Sequence, residues 1–121
     1  MSIPSDYADI VQMLLAKTDS GNVHWRKEKF DISVAIDGSR FSLWAGNDEN
    51  SEEPFVAFAL QDESGTTLDS WYVEENEGSA YTVMHRLYIA AKRHAHGVPS
   101  KLKQLRDKLA AAKDVGTPDA S

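Results

Sequence analysis

With 121 residues, of which 41% are hydrophobic and 26% charged, the chain has apolar material for one core and too little length for two. It contains no cysteine, which excludes disulfides, thiolate nucleophiles and zinc–thiolate sites. It has no apolar run of about 18 residues, as a membrane-spanning helix needs. Its first residues lack the basic and apolar regions of a secretory signal, so a cytoplasmic place is expected, with no membrane partner.

The net charge of −6 conceals a division. From Phe41 to His85 there are ten Asp/Glu and no Lys/Arg, whereas from Arg86 to Lys113 there are eight Lys/Arg against one acid, Asp107. Two readings follow. Basic helices can lie near an acidic sheet and complement it internally, or they can present a basic face to an anionic ligand or nucleic acid. Overall acidity opposes non-specific nucleic-acid binding and favours the first.

In chain order, Ser5 is placed to cap a first helix, with Pro4 just outside it. Tyr7, Ile10, Val11, Leu14 and Leu15 then recur at helical spacing and form one apolar stripe. Thr18–Asn22 stops this helix, Gly21 being suited to a left-handed cap. The period then changes to two. Val23 and Trp25 share a face, with Trp25 expected beneath helix 1, and Lys27-Glu28-Lys29 makes a polar turn. Phe30, Ile32, Val34 and Ile36 alternate with Asp31, Ser33, Ala35 and Asp37, the pattern of a strand with one buried face. Asp37-Gly38 signals a hairpin. Phe41, Leu43 and Ala45 return on the core side, with Arg40, Ser42 and Trp44 opposite.

An acidic loop, Gly46 to Pro54, precedes Phe55–Leu60, which is apolar on both faces and reads as a central strand. Asp62-Glu63-Ser64-Gly65 turns the chain into a last strand, Leu68–Val73, carrying Trp71 and Tyr72 on opposite faces. A second helix follows the acids Glu74, Glu75 and Glu77. Its stripe is Tyr81, Met84, Leu87, Tyr88, Ala91 and Ala95, and Gly97 closes it. Val98, Leu102, Leu105 and Leu109 mark a third helix opened by Pro99 or Ser100. The expected architecture is α+β: an N-terminal helix, a four- to five-stranded antiparallel meander sheet and two C-terminal helices. Residues 1–113 are expected to form a single domain and 114–121 a disordered tail.

The polar residues carry no catalytic signature. His94 and His96 lie two apart, on opposite sides of a helix, and cannot share a metal there. Asp48–Glu53 lacks the spacing of a calcium loop. There is no Gly-x-Ser-x-Gly, and Gly38, Gly46 and Gly65 are isolated turn glycines rather than a phosphate loop. No catalytic residue, metal or cofactor is expected. The aromatic residues say more. Trp44 falls on the sheet's second face, where Phe58, Tyr72 or Trp71 would enlarge an aromatic patch of the kind that marks interfaces. The C-terminal helices, a second subunit or a ligand could cover it. Arg86, the first cation after Arg40, either bridges to a carboxylate of the sheet or joins Arg40 and His85 in an anion-binding pocket.

Leu14-Leu15-x-x-Thr18-x-x-Gly21-x-Val23-x-Trp25, followed by the alternating strand and by Leu87-Tyr88-x-x-Ala91-Lys92-Arg93, resembles small uncharacterised bacterial or prophage-encoded α+β proteins, over most of Leu14 to Leu109. The resemblance implies an accessory or interaction protein and transfers no catalytic residues. The reading is therefore a non-enzymatic interaction module whose partner is another protein or a second copy, giving a homodimer. The candidate binding residues are Arg40, Trp44, Phe58, Trp71, Tyr72, His85 and Arg86. The alternatives are a binder that sequesters a small anionic ligand such as a nucleotide, using Arg40, Arg86 and Trp44, and a nucleic-acid binder using the basic C-terminal helices.

Overall fold

The computed structural model describes residues 3–116. Helix α1 (Ala8–Asp19) is followed by strands β1 (Arg26–Lys27), β2 (Ile32–Ile36), β3 (Ser39–Asn47), β4 (Pro54–Gln61) and β5 (Thr67–Glu74). After a 3-10 turn over Glu75–Glu77 come α2 (Ser79–Ala95) and α3 (Val98–Ala111). The five strands form one antiparallel sheet in sequential order, β1-β2-β3-β4-β5. The α+β architecture predicted from periodicity is the one observed.

Local chemistry sets the boundaries. A turn closed by the Tyr7 amide on the Pro4 carbonyl leads into α1, so Tyr7 rather than Ser5 occupies the cap position. The helix ends where the Gly21 and Asn22 amides donate back to the Thr18 and Lys17 carbonyls, with Gly21 at φ +80°. This pair of bonds satisfies the last carbonyls and requires the left-handed residue. Asp37 and Gly38, at φ 47° and 80°, make the two-residue turn whose twist matches the hairpin β2–β3. At the start of α2 the Glu77 carboxylate accepts from the Glu74 amide at 2.7 Å while the Glu74 side chain accepts in return from the backbone at the other end of the 3-10 turn.

The core lies between one face of the sheet and two helices. Val11, Leu14 and Leu15 of α1, together with Tyr7 before it, and Met84, Leu87 and Ala91 of α2 bury against Ile32, Val34, Leu43, Val56, Phe58, Trp71 and Val73. Both helices thus cover the same face. Helix α3 packs chiefly on α2, and none of its residues is buried.

Two expected strand segments are otherwise. Val23–Trp25 has no strand pairing, although Trp25 is buried against α1 as expected. Phe30, expected on the core face, is 84% exposed, because the Glu28 amide closes a turn on the Asp31 carbonyl and the ladder begins only at Ile32. Of the expected tail 114–121, residues 117–121 lie outside the described residues.

Candidate functional site

Antiparallel partners point to the same side of a sheet, so register assigns every side chain to a face. On the face away from the helices stand Ser33, Ala35, Arg40, Ser42, Trp44, Gly46, Phe55, Ala57, Ala59, Gln61, Ser70 and Tyr72. None of α1, α2 or α3 packs there. Its middle is a floor of small residues, Ser33, Ser42, Ala57 and Ala59. They are buried although no helix lies above them, because taller side chains stand on either side.

The two ends of this face differ in chemistry. At one end Trp44 pairs with Ala57, and Ala57 with Tyr72. Beside them the Phe55 ring meets Tyr72 edge-on at 6.0 Å. Phe55 also closes over Gly46, its ring carbons standing 3.4 Å from where a Cβ would be. At the other end the Arg40 guanidinium lies 3.8 Å from the Glu28 carboxylate, which also accepts from the Ser33 hydroxyl. The Ser42 hydroxyl donates to the Gln61 carbonyl oxygen at 3.4 Å. The face therefore runs from aromatic to polar and charged, over a flat floor.

The structure divides the candidate residues among three places. Arg40, Trp44 and Tyr72 share the open face. Phe58 does not: it is 0% exposed on the core face, opposite Leu43 and Trp71. The correction follows from parity, since Phe55, Ala57 and Ala59 face one way and Val56, Phe58 and Leu60 the other. Trp71 is likewise a core residue, stacked on Phe58 at 5.1 Å. Its Nε1 is buried without a hydrogen-bond partner among the described residues. Arg86 and His85 lie on α2; Arg86 is bonded not to a carboxylate of the sheet but to Asp19 of α1, at 2.8 Å, and His85 is stacked on Tyr81. The alternative pocket of Arg40, His85 and Arg86 does not form, because the sheet separates Arg40 from the helices. Phe55 belongs to the site and was missed as a candidate; the register of Gly46 with Phe55 and of Trp44 with Ala57 is what places it on the Trp44 side.

Two phenols are shifted. Burial, together with a hydrogen bond to Asp69 and that carboxylate's charge, pushes the Tyr7 hydroxyl up to about 12. Burial raises Tyr81, aided by Glu75. Both lie on the helix side of the sheet. Asp62, at the β4–β5 turn, is held below its ordinary value, chiefly by the Ser64 hydroxyl. Among the described residues no group of three His, Asp or Glu is placed to hold a metal ion, and no helix is long and apolar enough to cross a membrane.

The surface has hollows both on and off this face. One of about 760 Å³ runs along α3 beside Gly97, Lys101, Gln104 and Asp107. Its lining residues are polar or charged apart from Gly97, with their aliphatic stems forming much of the wall. A smaller one, about 200 Å³, sits at the polar end of the open face between Arg40, Asp62 and Glu63. No protein-family model, curated protein or solved structure matches the chain.

Proposed function

We propose that the chain is a small non-enzymatic interaction module that self-associates through the open face of its sheet. The observation that carries this is the placement of α1 and α2 on one face, which leaves Trp44, Phe55 and Tyr72 grouped on the other. Interfaces are enriched in such aromatics, and a level floor of Ser and Ala lets a second surface approach closely. The face is also complementary to itself. Arg40 stands at one end and Glu74, opposite Phe55, at the other. Two copies related by a twofold axis running across the strands would set each arginine near the other's glutamate.

In this reading the protein serves as an accessory component in the cytoplasm of a bacterium or its phage. The cysteine-free composition and the sequence likeness described above support it. The anionic-ligand alternative keeps Arg40 and Trp44 on one face but loses Arg86. The nucleic-acid alternative rests only on the exposed cations of the C-terminal helices.

Sedimentation velocity or light scattering at tens of micromolar tests the proposal. A dimer is expected, and it should become monomeric in Trp44→Ser/Tyr72→Ser with little change in melting temperature, since both side chains lie outside the helix-covered core. A monomer at every accessible concentration sinks it.

A further inference from the structure

Helix α3 carries a second apolar surface, separate from the sheet face. Val98, Leu102, Leu105 and Leu109 recur at steps of four, three and four, which is the a/d spacing of a coiled-coil seam. Val98 and Leu102 are half-buried near the elbow at Gly97, whereas Leu105 and Leu109 are 44% and 53% exposed. The seam continues onto α2. Ile89, itself exposed, lines a hollow of about 310 Å³ with Val98, Lys92, Arg93 and His96. A neighbouring hollow of about 370 Å³ shares Ile89 and Arg93.

Charge decides what can lie here. The residues flanking the seam are Lys101 and Lys108 on one side and Arg106 on the other, and the helix's one acid, Asp107, points away. Charges at flanking positions choose coiled-coil partners. In a parallel pair of α3 helices Lys101 would face Arg106 of the second copy, and in an antiparallel pair lysine would face lysine. Both arrangements are repulsive. Neither of the ion pairs Arg40–Glu28 and Arg86–Asp19 draws on these cations. The stripe is also narrow. A helix lying on a sheet presents a wider apolar face, whereas a seam this narrow suits another helix.

We infer that the α2–α3 elbow is a docking groove for an amphipathic helix of a different protein, one whose leucine-type stripe is flanked by Asp and Glu. The cations on both banks of the groove select the acidic helix and reject a second α3. The protein would thus join to itself by the sheet and to its partner by the elbow.

The test uses the full chain and a labelled synthetic helix of several heptads, with Leu at a and d and Glu at e and g. Fluorescence anisotropy should show binding that weakens as salt rises, and the same peptide with Lys at e and g should not bind. Leu105→Ser/Leu109→Ser keeps every charge, removes two exposed side chains that the fold does not use, and should weaken binding about tenfold or more. The inference is overturned by failure of the Glu peptide to bind, by equal binding of the Lys peptide, or by undiminished binding to the double variant. It is also overturned if vesicles of phosphatidylserine and phosphatidylcholine bind the chain in preference to the peptide, or if Leu105→Ser/Leu109→Ser dissociates a homodimer. Loss of the dimer in the Trp44→Ser/Tyr72→Ser variant would leave the groove intact, so the two readings fail separately.

Discussion

The indole N–H of Trp25 donates to the Thr18 hydroxyl at 2.9 Å, and that hydroxyl donates in turn to the Leu14 carbonyl at 2.6 Å. Both residues are buried. The pair ties the last turn of α1 to the segment entering the sheet, across the Gly21 cap. Thr18→Val keeps the shape and removes the acceptor, leaving the indole N–H buried without a partner. Such a group costs about 1–3 kcal/mol. Chemical denaturation should show a loss of that size, and Thr18→Ser, which retains the hydroxyl, should recover most of it. A fully stable Thr18→Val would mean that the bond contributes nothing.

The alkaline limb of the stability curve should report on Tyr7. Its hydroxyl donates to Asp69 at 2.8 Å, linking the entry of α1 to β5, and its folded value stands at about 12 against 10.0 for the free group. A raised value means that the folded state holds the proton more tightly. The resulting stability is complete below about pH 10 and disappears as pH rises toward 12. Tyr7→Phe should be less stable than the parent at neutral pH by about 1 kcal/mol for the lost hydrogen bond. It should then lose less stability than the parent between those two pH values, while Tyr81, which shifts in the same direction, contributes alike to both. Parallel alkaline curves for parent and variant would contradict the assignment.

Much of the fold was legible because its signals are local. Period-two alternation from Ile32 to Ile36, Asp-Gly at the hairpin, Gly21 after α1 and helical stripes in α1 and α2 each reflect a preference of a few neighbouring residues. Meander order followed from the shortness of the connections. The site was less legible. That Trp44 and Tyr72 leave the core follows from alternation, but which layer α2 and α3 join depends on long-range packing that no short window encodes. Phe58 was misplaced because a strand apolar on both faces carries no alternation signal, so that only its register with Leu43 settles the face. Phe30 was misplaced because the Glu28–Asp31 turn consumes residues that the period would otherwise count as strand.

The β2–β3 turn is sharply specified. Gly38 sits at φ +80°, and the space around it is not the constraint: an added Cβ would meet only the Glu63 carboxylate at 3.7 Å. The cost of Gly38→Ala is therefore backbone strain, about 1–2 kcal/mol. Asp37, at φ 47°, occupies a conformation that Asn also tolerates, so Asp37→Asn should leave stability within about 0.5 kcal/mol of the parent. Thermal melts of the two variants measure the difference. Equal melting temperatures would show that the turn relaxes to a form that does not need the left-handed residue.

Phe55 and Phe58 lie three residues apart in one strand and should respond in opposite ways to the same substitution. Phe58 touches Tyr7, Phe41 and Trp71 at ring separations of 5.5, 5.0 and 5.1 Å and is wholly enclosed. Truncation to alanine opens a cavity where helices and sheet meet, at a cost of about 3–5 kcal/mol, and any effect on association would follow from unfolding. Phe55 is only half-buried, its ring resting over Gly46 and against Tyr72, with no helix above it. Phe55→Ala should lower stability by about 1 kcal/mol or less while weakening self-association. Denaturation and sedimentation on the two variants separate the effects. If Phe55→Ala weakens neither, the aromatic end of the open face is not where two copies meet, and Arg40 and the polar end would be the next surface to change.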